Sequence, residues 1–348
     1  MNPHSNHPTN QPSLLLDVLT REGVLINVSV RYPRFHKKLK AADLGLGEEQ
    51  VSDRLMSLGH KRLLPKEALA ELALIESRTH ALVDQCTFPF LGGIGHFLPN
   101  GKLIEAQERL SSQEQSFHQA RSHFLEEYRT LRAEALEEWQ AAAETIVQGR
   151  GEQERFLAQI QASFPTRASI EKKFSFEVHL FQVAVPESLG MELVSFADQN
   201  DIRRARHEAA QSAATQIQEG VETFVGECVT VLRQQTAQLC DEMLSAMHSG
   251  KTDGVHQRTL NRLVKFIDGF KQMNFANDQQ MEQQLDQVRK RLLDRTAEDY
   301  RGNPIATRSL EKGLTDLRNH AADLASQSAH EMVERFGQLG RRKLQLAG

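Results

Sequence analysis

From Asp198 to His248 the chain contains no proline, and one apolar row runs along nearly the whole stretch. Ile217, Val221, Phe224, Cys228, Val231, Leu239, Met243 and Ala246 recur at steps of three and four, with polar Gln235 filling one slot. This spacing predicts a long amphipathic helix whose seam lies along a partner helix. It constrains the fold strongly and chemistry hardly at all, because a seam of this kind is a scaffold.

Two further stretches carry matching seams. Leu103, Leu110, Phe117, Phe124 and Leu131 are spaced by seven, and Trp139, Ala142 and Ile146 continue the face, which predicts a helix over 102–147. Near the C-terminal end, Leu310, Leu314, Leu317, Ala321, Leu324, Ser328, Met332, Phe336 and Leu339 again fall at three and four. Shorter helices are expected from about His256 to Met273 and from about Asp278 to Leu293. Three long seams can bury one another in an antiparallel bundle.

Strands are few. Val24 to Val30 alternates and is β-branched, and Phe174 to Val185 is the second convincing strand. Between them, Phe88 to Gly101 is both apolar and glycine-rich. This predicts a structural turn at Gly92, Gly93 and Gly95 with a short strand on either side. The fold class expected is mainly α with a small antiparallel β-sheet, the long amphipathic helices forming an elongated bundle or coiled coil. The 348 residues divide into a disordered tail over 1–20, an α+β region over 21–196 and a long-helix bundle over 197–348. Hydrophobic residues at 39% suit paired helices that expose much surface.

Catalytic patterns fail one by one. Gly95 to Lys102 approaches a phosphate loop, but its spacing is one residue too long and Leu103 replaces the hydroxyl that would reach Mg²⁺. Gly92-Gly93-Ile94-Gly95 does not fit G-x-G-x-x-G. His207-Glu208 has Gln211 where a zinc-protease helix needs a second histidine, and His330 has Glu334. No G-x-S-x-G elbow occurs. No metal ligand set, catalytic residue or cofactor is expected. The three cysteines, Cys86, Cys228 and Cys240, form no C-x-x-C pair and read as small hydrophobes in a reducing compartment. No stretch approaches the ~20 apolar residues that cross a membrane, and the start lacks a signal-peptide pattern, so a cytoplasmic location is expected.

What remains is charge. The formal net charge of −4 argues against a dedicated nucleic-acid binder, which would usually carry a strongly basic domain, yet local basic runs stand out. Arg34, Lys37 and Lys38 form one, and Lys61-Arg62 forms another. These five residues are the candidate contacts to a partner or to phosphates. Ordinary solubilising charge is the bland alternative.

Several landmarks in order carry a resemblance. They are the early strand followed by Phe35-His36-Lys37-Lys38-Leu39, then Leu58-Gly59-His60-Lys61-Arg62-Leu63, then Phe90-Leu91-Gly92-Gly93 with Pro99, and the aromatic strand Phe174 to Val183. Over about Gly23 to Val185 this set resembles a bacterial family classed as a domain of unknown function, number 3150. Members often have a tryptophan just before the basic run, where this chain has Tyr32-Pro33. They are typically encoded on phages, plasmids and integrative elements, near MoxR/CobS-type AAA+ ATPases and von Willebrand A-type proteins. The resemblance implies a non-enzymatic third component of an ATPase-driven remodelling system, with those two proteins as partners and self-association as a further option. The alternatives are a nucleic-acid-binding accessory protein acting through the basic runs and, more weakly, a membrane-active effector.

Overall fold

The structure is a computed structural model that describes residues 12–40, 58–147, 149–183, 199–248, 255–300, 302–326 and Phe336. Its elements in chain order begin with helix α1 (Pro12–Glu22) and strands β1 (Gly23–Arg31), β2 (His36–Lys38) and β3 (His60–Arg62). Then come α2 (Ala70–Cys86), β4 (Phe88–Phe90), β5 (Gly95–Pro99), α3 (Asn100–Ile146), α4 (Arg150–Ser163), α5 (Arg167–Glu171) and β6 (Ser175–Phe181). The rest is helical: α6 (Gln199–His248), α7 (Gln257–Met273), α8 (Gln279–Leu292), α9 (Ala297–Tyr300) and α10 (Pro304–Ser326). The chain is therefore mainly α with a small antiparallel sheet. The sheet order is β4-β5-β1-β6, and β2 and β3 form a separate two-stranded ribbon.

The chain divides into two compact units that interleave in sequence. The first comprises Met1–Ile26, Cys86–Ile104 and Leu180–Gly348; the second comprises Asn27–Gln85 and Glu105–His179.

In the first unit α6 and α10 run antiparallel. Arg233 of α6 meets the Leu324 carbonyl, Asp241 meets Arg318, and His248 lies near Glu311, so one helix ascends as the other descends. The α7–α8 pair is also antiparallel, with Asp268 against Arg289 and Lys271 2.7 Å from Asp286. Their loop is fixed by polar groups. Asp278 caps α8 by accepting from the Met281 amide at 3.2 Å, and Asn274 Oδ1 accepts from the Asp278 amide at 2.8 Å. Asn277 takes the left-handed conformation (φ 58°), which an asparagine tolerates better than most residues. Pro304 opens α10 with Asn303 as its cap, as a proline at the first helical position should.

Two expectations change here. The tail expected over 1–20 ends sooner: from Pro12 the chain is helical, and Leu16, Val18 and Leu19 are buried in the first unit's core. Residues 1–11 lie outside the described residues. The α6 seam also shifts phase in its middle. Val231, Gln235 and Ala246 are exposed, whereas Val225, Val229, Leu232, Arg233, Thr236, Cys240 and Leu244 are buried. A helix flanked on more than one side buries a stripe wider than a strict heptad row, and α6 packs on both α10 and α1. Gly220 in this helix marks a close approach: a Cβ there would come within 2.4 Å of Leu91 Cδ2.

In the second unit the α3 seam from Phe117 to Ala143 forms the core with α4, α5 and the basic-ribbon flanks. Phe117, Phe124, Tyr128, Phe156, Ile160 and Ile170 are buried together with Phe35, Leu63 and Leu64. At roughly 1.5–3 kcal/mol for each fully buried large apolar side chain, this cluster is what holds the unit. This part of the α3 seam is thus buried within its own unit. The seam positions Ser328, Met332 and Leu339 lie outside the described residues.

Candidate functional site: the basic ribbon

The two basic runs recognised separately in the sequence come together in the structure. β2 and β3 pair antiparallel, with His36 opposite Arg62, Lys37 opposite Lys61 and Lys38 opposite His60. Every position of this ribbon is a lysine, an arginine or a histidine. All are exposed except Lys61, which is half-buried.

The foot of the ribbon explains why it forms there. β1 ends at Arg31, and Tyr32 and Phe35 turn inward, each 6% exposed. Phe35 takes φ 51°, unusual for a bulky residue, while its ring lies 5.7 Å from Phe124 and 5.8 Å from Tyr128. Burial of that ring holds the backbone in the turn that sends His36 to Lys38 outward. On the returning strand Leu63 and Leu64 enter the same core. The Leu63 amide donates to the Phe35 carbonyl at 2.8 Å, and the Leu39 amide donates to Gly59 at 3.0 Å. Gly59 itself has φ 78°, which glycine adopts without strain. An apolar clamp at one end thus presents a charged ribbon at the other.

Side chains alternate across a strand. Lys37 and Lys61 therefore share one face, and His36, Lys38, His60 and Arg62 share the other. Lys61 Nζ sits 5.9 Å from the centre of the Phe156 ring, which places the first face toward α4. On the second face the His36 and His60 rings are 6.2 Å apart. Like charges directly opposite, such as Lys37 and Lys61, weaken an antiparallel pair. The ribbon is thus built for charge density at some cost to its own stability.

Arg34 has a different role from the other candidates. It donates to Glu76 of α2 at 2.5 Å, and its guanidinium lies 3.9 Å over the Tyr32 ring. Tyr32 donates to the second oxygen of the same carboxylate at 2.9 Å. Burial pushes the Glu76 carboxyl up, but the hydrogen bonds from Arg34 and Tyr32 together hold it below its ordinary value. Burial and the bond to Glu76 push Tyr32 up to about 12. Arg34 is thereby tied to the scaffold beside the ribbon. No sequence pattern announces Glu76, which lies 42 residues away from Arg34.

The glycine turn belongs to the first unit. Leu91, Gly92 and Gly93 all take positive φ, at 41°, 67° and 91°. Gly95 is a glycine for another reason: as the first residue of β5, a Cβ there would lie 2.8 Å from Phe181 Cζ. These residues form a structural turn. Beside it, the cavity lined by Leu16, Leu19, Phe90 and Phe97 measures about 10 Å³, room for at most a single water. Among the described residues no three of His, Cys, Asp and Glu come together in a way that would hold a metal ion. No described helix is long and apolar enough to cross a membrane.

A helix-rich α+β chain with a clamped basic ribbon is thus the class the structure defines. A family model described as a protein of unknown function (DUF3150) matches residues 20–303, and the chain belongs to that family. The match takes in the ribbon and extends through α6, α7 and α8, well past the stretch ending at Val185 that carries the landmark motifs. No curated protein and no solved structure matches the chain.

Proposed function

We propose that the chain is a non-enzymatic adaptor or assembly subunit that works by docking. The ribbon carries this reading. Side chains that bind through charge are gathered at one exposed place and aimed outward by a buried clamp. The strongly shifted thiols point the same way. Cys228 and Cys240 are pushed up by burial, Cys240 to about 12, which suits packing and not nucleophilic attack.

The genomic setting implied by the family resemblance supplies the partners. They are a MoxR-type AAA+ ATPase and a von Willebrand A-type protein of the same phage or mobile element. Co-expression of the three chains tests this. Co-elution of all three in one complex of defined size is the expected result. A monodisperse monomer that leaves both neighbours behind would overturn the reading.

A further inference from the structure

We infer that the exposed cations of the β2–β3 ribbon bind the phosphate backbone of duplex DNA. The inference rests on the ribbon as the chain's docking surface and goes further by naming the ligand.

Three observations select this ligand among anionic surfaces. The first is composition. Surfaces that meet phosphates are built from lysine and arginine. The ribbon offers Lys37, Lys38, Lys61 and Arg62 with two imidazoles and no apolar side chain. The second is linear density. Three residues of strand extend about 10 Å, and duplex DNA carries a charge per roughly 1.7 Å of axis, or about six phosphates over that length. Three exposed permanent cations, Lys37, Lys38 and Arg62, over that length are a fair match to such a charge density, and a two-stranded ribbon fits the major groove.

The third observation separates duplex from single strand. Sequence-tolerant binding of single strands uses aromatic faces on which bases stack. The aromatic residues next to the basic run are Tyr32 and Phe35, and both rings are spent in the core. The ribbon keeps the cations, and the rings it carries are the His36 and His60 imidazoles. Its contacts are therefore with phosphates, which position a protein on DNA without reading sequence.

The test uses the full chain and a short fluorescent duplex of mixed sequence, followed by anisotropy across a salt series. Each phosphate contact contributes about 0.9 to the slope of log K against log salt. Three contacts predict a loss of roughly 40-fold in affinity between about 50 and about 200 mM salt. Arg62→Gln and Lys37→Gln should each flatten the slope by about 0.9, equally for unrelated sequences. The variant with Lys37, Lys38, Lys61 and Arg62 all changed to Gln should lose most of its affinity while keeping wild-type circular dichroism and a melting temperature no lower than that of the wild type.

Several results overturn the inference. They are no duplex binding by the wild type at low salt, unchanged binding by the fourfold variant, tighter binding to single strands, or binding to polyglutamate in preference to the duplex. Co-purification with the ATPase, scored on the same variants, keeps the two readings apart. Loss of DNA binding with the complex intact leaves the adaptor reading standing. Loss of the complex in the fourfold variant, with a wild type that ignores DNA, leaves the ribbon as a protein dock.

Discussion

Arg233 and Asp278 form an ion pair at 2.6 Å, with 4% and 2% of their side chains exposed. The pair ties three elements together. Arg233 rises from α6 and also donates to the Leu324 carbonyl of α10 at 2.7 Å. Asp278 caps α8 with its other oxygen. Taking two charges out of water is costly, so such a pair adds little net stability, but breaking it strands a buried charge. Arg233→Ala should therefore destabilise the first unit by about 3–5 kcal/mol. The double change Arg233→Met with Asp278→Asn removes both charges and keeps an acceptor for the cap. It should cost clearly less than the sum of its single changes. Urea unfolding of the four proteins gives the coupling energy, and strict additivity would show that the two side chains do not depend on each other.

All three tyrosines of the chain are held in their neutral form by the fold. Burial is the leading cause in each case, raising Tyr32 to about 12 and raising Tyr128 and Tyr300. Each hydroxyl also donates inward, to Glu76, to the Pro165 carbonyl and to the Leu292 carbonyl. A folded value above the unfolded one gives stability that is fully present below the ordinary tyrosine value of 10.0 and is lost as pH rises through the folded values. Tyrosinate absorbance should accordingly stay flat through the ordinary tyrosine range while the protein remains folded, then rise together with loss of circular dichroism. A tyrosine that ionises at its ordinary value in the folded protein would contradict the burial described.

The three thiols make a related case. Cys86, Cys228 and Cys240 are buried and in no disulfide, and burial raises the last two. A thiolate is the species that reacts. Maleimide at neutral pH should leave the folded chain unmodified over a time in which the denatured chain takes up three labels. Fast labelling of Cys228 in the native state would place it on an exposed face of α6.

Periodicity carried the helices well, because burial on one side of a helix writes itself into local spacing. The apolar sets of α7, α8 and α10 were legible at Leu263, Leu285 and Leu314 for that reason. It misjudged the middle of α6, where Leu232 and Arg233 face inward and Val231 does not. A buried arginine reads as a surface residue until its partner is known, and Asp278 lies 45 residues further on. The site was legible in its parts only. Lys37 and Lys61 stood out as charge, but their facing each other depends on a strand pairing too short to show alternation. Glu76 and Phe156, which fix Arg34 and Lys61, carry no local signal at all.

The clamp beneath the ribbon makes the last prediction. Phe35 holds a positive φ that costs a non-glycine residue about 1–3 kcal/mol, and burial of its ring against Phe124 and Tyr128 offsets that strain. Phe35→Ala keeps the strain and empties the ring's site, so a loss of about 3–5 kcal/mol is expected. Phe35→Gly empties the same site but releases the strain. In most contexts glycine is the more destabilising of the two because it loses more backbone freedom on folding. Here the order should reverse, with the glycine variant equal to or more stable than the alanine variant. Both should also weaken protection of the Leu63 amide, which donates to the Phe35 carbonyl. Unfolding midpoints and amide hydrogen exchange measure the two effects separately. If alanine proves the more stable replacement, the left-handed turn at Phe35 is not what aims the ribbon.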